Sequence, residues 1–183
     1  MEEDILMTPI GVLTVEHLLI GRMVNLIHRE LEKVGQGKKA DLLFIDGAID
    51  FAKTYADACH HGKEEGILFE RLGRKRLIAE HKKLMDELVL EHIQNRKIVT
   101  NLEMARESHV KGDLDAVKTI LTICKSLVEF YPGHMEKEEK HFFTPSMEYL
   151  SKREQQEMMK KFWEFDKDLL LERYLKFMER YER

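Results

Sequence analysis

Two stretches of this chain repeat one another with histidine and glutamate in fixed places, and that pattern limits the fold more than any bulk property does. His60-His-Gly-Lys-Glu-Glu-Gly-Ile-Leu-Phe69 aligns on Lys-Glu-Glu with His134-Met-Glu-Lys-Glu-Glu-Lys-His-Phe-Phe143, so His60 matches His134 and Glu64 matches Glu138. Glu16-His17 precedes the first copy and Glu80-His81 the second. Residues four apart lie one above the other on a helix face, so the imidazole and carboxylate of each copy can reach one point. Ile49, Ala52, Ala56, His60, Glu64 and Ile67 share one apolar stripe, and Ile120, Leu127, Tyr131, His134, Glu138 and Phe142 share another. His17 and His81 fall on the stripes of their own helices. Four helices thus each point at least one nitrogen or oxygen donor inward.

Two glutamates among aliphatic side chains would be costly to bury unless paired or neutralised, and metal coordination removes that cost. Four imidazoles and two carboxylates suit iron, and manganese less well, with both carboxylates able to bridge a metal pair. Two His per ion leave a coordination position open on each for oxygen, water or another small ligand. The expected metal set is His17, His60, Glu64, His81, His134 and Glu138. His28 and His92 lie eleven residues after His17 and His81, about 16 Å along the axis, and are expected to be core or boundary residues. Cys59 and Cys124 are expected to be small packing residues.

The helical phase runs through most of the chain. Thr8-Pro9 offers an N-cap and a proline at the first helical position, and Gly35-Gln-Gly37 ends the first helix. A second is expected over about residues 41–72, a third over about 75–110, and a fourth from an Asp113 cap to Pro145, kinked at Pro132. Ser151-Lys-Arg-Glu154 reads as a capping box opening a fifth helix to the C-terminus. Short turns between long helices favour an all-α, up-down-up-down antiparallel four-helix bundle over residues 1–150. The helix over 151–183, with its aromatic residues, is expected to pack on the bundle or on a second copy, the latter giving a homodimer.

Composition narrows the partners. A net charge of −4 speaks against nucleic acid, and the basic residues near Arg71–Lys75 and Lys82-Lys83 read as solvated faces. No membrane span is expected from the apolar runs, and the acidic start is wrong for a signal peptide. Two cysteines rule out a disulfide framework and suggest a reducing cytoplasm.

The chain resembles the hemerythrin and HHE cation-binding family over roughly residues 10–150, most specifically in the two His…Lys-Glu-Glu copies. That resemblance implies a four-helix bundle around two non-haem iron ions, carboxylate-bridged and oxo- or hydroxo-bridged, with manganese or a mixed pair as alternatives. It implies a small diatomic or peroxide ligand, with iron donation or repair, or sensing of metal or oxygen state, as alternative roles. His61 with Glu65 keeps the same spacing, and Glu139 stands five after His134. His60/Glu64 is preferred for its match to the second copy and to the apolar stripe, leaving His61 outside the metal set. Oxygen carriers of the family place two His one turn apart on the third helix. Here Met85 follows His81 at that interval, so a seventh ligand is missing unless His141 or another group supplies it.

Overall fold

The computed structural model describes residues 8–165 and 170–182. Four long antiparallel helices form the bundle: α1 (Pro9–Gly35), α2 (residues 42–72), α3 (Ala79–Val110) and α4 (residues 116–146). Two shorter helices follow, α5 (Lys152–Phe165) and α6 (Leu170–Glu182). No strand occurs among the described residues.

Local chemistry sets the ends. The Thr8 hydroxyl accepts from Gly11 N–H at 3.1 Å, with Pro9 in the first turn. Gly37 (φ 85°) and Gly112 (φ 105°) are the positive-φ residues of the described chain. Each follows a bundle helix and lets the next N–H turn back onto that helix, from Lys38 to the Lys33 carbonyl and from Asp113 to the Ser108 carbonyl. Asp41 caps α2 through Leu43 and Phe44 N–H, and Asp113 takes Asp115 and Ala116 N–H before α4. The helix passes through Pro132 without a break. Ser151 and Glu154 exchange hydrogen bonds as the capping box requires.

The interior falls into two apolar clusters. The larger holds Ile20, Met23, Ala56, Leu102, Leu127 and Tyr131, the smaller Leu13, Leu68, Leu88, Phe142 and Phe143. Between them lies a buried polar layer of Glu16, His17, His60, His61, Glu64, His92, His134 and Glu138.

Three findings differ from expectation. First, the C-terminal segment forms two helices, and both pack on α1: Phe162 of α5 enters the smaller cluster, Tyr174 and Met178 of α6 the larger. A side chain at Gly47 would strike the Phe177 ring, so that glycine lets α6 approach α2. Second, α2 is π-helical over Ala52–His61 and Glu64–Phe69, as is α4 over Glu138–Phe143. Third, α1 is long and apolar enough to cross a bilayer by length and composition. Its apolar face instead covers the bundle interior, with 56% of the qualifying window buried. The basic residues expected on solvated faces are ion-paired: Arg71 and Lys75 with Glu154, Lys82 with Asp86.

Candidate metal centre

Five imidazoles and two carboxylates meet in the polar layer. His17, His60, Glu64 and Glu138 offer atoms within 4.8 Å of one another, as do His61, His92 and His134, and all seven side chains are buried. Each carboxylate faces both groups. Glu64 Oε1 lies 3.5 Å from His60 Nε2, and its Oε2 lies 3.4 Å from His92 Nε2. Glu138 Oε2 lies 3.2 Å from His17 Nε2, and its Oε1 lies 3.4 Å from both His92 and His134 Nε2.

A ring of outer carboxylates orients the imidazoles. Nδ1 of His17 donates to Glu139 (2.8 Å), His60 to Glu16 (2.9 Å), His61 to Asp57 (3.3 Å), His92 to Glu65 (2.7 Å) and His134 to Glu91 (2.8 Å). A proton fixed on Nδ1 leaves the Nε2 lone pair for the interior, the arrangement that metal-binding histidines use. Lys63 in turn binds Glu16, and Lys137 binds Glu91. The first of these pairs is dry: Lys63 is fully buried, its Nζ 5.9 Å from the ring of Phe162 on α5. Lys137 and Glu91 are part-exposed.

Four of the inward atoms lack partners of their own. Both oxygens of Glu64, Oε2 of Glu138 and Nε2 of His134 are buried without a well-formed hydrogen bond. Such groups cost about 1–3 kcal/mol each when left unsatisfied. Nε2 of His17 and of His60 face each other at 3.0 Å. Seven convergent donor residues, three of them with unpartnered buried atoms, fit a cation or a pair of them.

The electrostatics fit as well. Burial, then the charge of Glu138, pushes the Glu64 carboxyl well above the usual range. Burial opposes ionisation of Glu138 too, but His134, His17 and His92 outweigh it and hold that carboxyl low. Burial and neighbouring imidazoles push His60 and His61 well down. Burial also opposes charge on His17, yet Glu138 and Glu139 prevail and lift its pKa to about 9.

Of the expected set, His17, His60, Glu64, His134 and Glu138 come together, and His81 does not. α3 starts at Ala79, so His81 lies in its first turn, half-buried, with Nδ1 2.8 Å from the Tyr149 hydroxyl. His92, three turns further along the same face, takes its place. His61, expected outside, is 1% exposed and stacks on His92 at 3.9 Å between ring centroids. It supplies the seventh donor, while His141 is exposed. The i→i+5 winding over Ala52–His61 accounts for this: a wider turn takes in an additional residue and lets His60 and His61 both face inward.

A signal for His92 does exist in the sequence. Glu-His occurs twice on α3, and only Glu91-His92 repeats the span of the first half: Glu16 precedes His60 by 44 residues and Glu91 precedes His134 by 43. The centre is therefore two-fold in its parts, Glu16, His17, His60, Lys63, Glu64 and Glu65 answering to Glu91, His92, His134, Lys137, Glu138 and Glu139. His61 breaks the symmetry, for Met135 stands at the matching position.

No curated protein and no solved structure matches the chain. The model of the Hemerythrin HHE cation binding domain does match, over residues 8–144, from the cap of α1 to the end of the α4 motif. With a histidine- and glutamate-lined layer at the centre of a four-helix bundle, the chain belongs to the hemerythrin HHE cation-binding family.

Proposed function

We propose that this protein holds two non-haem iron ions, one on His17 and His60, the other on His61, His92 and His134, with Glu64 and Glu138 bridging them. The observation that carries this reading is the two-sided placement of both carboxylates, each with one oxygen toward either histidine group. Imidazole with carboxylate is a donor set that iron accepts readily. When bound, such a pair supplies a redox-active site for dioxygen, peroxide or nitric oxide. The His17/His60 side has one imidazole fewer, and we assign the small ligand to that side.

Metal analysis with absorption spectra under air and under argon tests this. About two irons per chain, with near-UV and visible bands that respond to air, are expected. Colourless, metal-free protein from iron-rich medium would overturn the reading.

Protons must leave before the ions enter. His17 gives up its proton only near 9, and burial, then the charge of Glu138, favours the neutral form of Glu64. Loading divalent ions at pH 7 is therefore expected to release protons, the one on His17 among them. Above pH 9 the share from His17 disappears and the release falls. Titration calorimetry in buffers of different ionisation enthalpy measures this; zero release would contradict the protonated cage.

A sensing role has one specific feature in its favour. His60 connects through Glu16 and Lys63 to Phe162, so α5, which lies beyond residues 8–144, rests directly on the support of one metal ligand.

A further inference from the structure

The two halves of the centre are alike in their parts and unlike in how those parts are held. An outer carboxylate is free to turn toward water unless a cation fixes it. Lys63 fixes Glu16 and Lys137 fixes Glu91. Arg96 takes two more at once, its Nε donating to Asp57 Oδ1 and its Nη2 to Glu65 Oε1, both at 2.7 Å. No Lys or Arg pairs with Glu139 among the described residues; its side chain, 40% exposed, has His17 as its partner.

Arg96 grips the very atoms that orient two ligands. Asp57 Oδ1 also accepts from Nδ1 of His61, and Glu65 Oε1 from Nδ1 of His92. The two imidazoles stack with 14° between their planes. Both carboxylates stand on α2, and the guanidinium reaches them from α3, one turn beyond His92. Its donors are fixed in a planar fork, so one side chain sets the spacing of both supports. His61 and His92 are thereby held as one chelating unit.

The matching positions elsewhere in the bundle lack every part of this clamp. At the spacing that pairs His60 with His134, Asp57 answers to Tyr131 and His61 to Met135. At the spacing that pairs His17 with His92, Arg96 answers to Gly21, which leaves Glu139 without a cation. Packing does not impose that glycine, for a side chain there would meet nothing within 4 Å. An arginine on part-exposed carboxylates is most often a solvated pair of little consequence. Here the three residues that break the two-fold, His61, Asp57 and Arg96, form a single hydrogen-bonded chain ending at the cage.

We propose that Arg96 is a positioning residue that makes the two metal ions unequal. The ion on His61, His92 and His134 is resident, and the ion on His17 and His60 is exchangeable. This rests on the dinuclear reading above and adds which ion the protein keeps and which it can give up.

The test follows iron release from the full, reduced, iron-loaded chain to excess chromogenic ferrous chelator without air, in wild type, Arg96→Met and Arg96→Lys. Wild type is expected to lose one iron per chain in a fast phase and one at least about tenfold more slowly. Arg96→Met is expected to speed the slow phase about 10–100-fold, the range by which a lost outer partner weakens metal affinity. The fast phase should stay within about twofold, so that the two phases approach or merge. Arg96→Lys, which keeps the charge without the fork, is expected to fall between. An unchanged slow phase in Arg96→Met would reduce Arg96 to a surface pair, and acceleration of both phases alike would mark a general loosening of the bundle. Either result overturns the assignment, as does release of both irons from wild type in one phase. Wild-type protein that takes up no iron would instead bring down the dinuclear reading.

Discussion

Replacing His92 by alanine is expected to remove one of the two metal ions, while replacing His81 leaves both in place. His92 is fully buried and its Nε2 faces an oxygen of each carboxylate, so alanine there removes a donor from the middle of the cage. Loss of an outer-sphere partner alone lowers metal affinity 10–100-fold in comparable sites, and loss of the ligand itself should exceed about 100-fold. Iron content of His92→Ala should fall from about two toward one per chain. His81→Ala removes a part-exposed hydrogen bond to Tyr149, an effect of about 1 kcal/mol or less on stability. The reverse outcome, with iron lost from His81→Ala and kept by His92→Ala, would refute the placement of the centre on α3.

The second large effect concerns stability, and its sign depends on the metal. Two ions, each at about 100 times its dissociation constant, add roughly 5 kcal/mol to the folded state. For a chain of this size that corresponds to about 10–20 °C in Tm, lost on chelation. Glu64→Gln should act in opposite directions in the two forms. Without metal it removes an ionisable group that burial and Glu138 already force toward its neutral form, so the stripped variant should equal or exceed stripped wild type. With metal it deletes a bridging anion and should forfeit much of the gain. Thermal melts of both proteins, loaded and stripped, give the four values needed. A purely structural Glu64 would lower both curves alike, and that result would remove the metal reading.

Much of the architecture is legible in side-chain periodicity because the relevant physics is local. Caps at Thr8 and Asp113 and the Ser151/Glu154 box depend on neighbours within a few residues, and all three form. The faces of His17, His60, Glu64, His134 and Glu138 follow from helical phase. Phase says nothing about level, however. His81 and His92 occupy one face of α3 at different heights, and choosing between them needs the span to the partner helix. His61 is hidden for another reason. Reading at 100° per residue assumes α winding, and the i→i+5 turns before His61 break that assumption at the metal centre itself. The bulk apolarity of α1 is masked in the sequence because Glu16 and His17 interrupt it; in the fold they are part of the interior.

The widened turns of α2 also bear on how such a centre could change over generations. An i→i+5 turn amounts to an insertion accommodated inside a helix instead of being expelled into a loop. Deleting one residue between 52 and 59 would let the segment relax into ordinary winding, improving its backbone while turning one imidazole out of the cage. Helical comfort and donor number are thus traded against each other at a single indel. Lineages that drop or regain that residue would move between six-donor and seven-donor cages without altering any other part of the bundle.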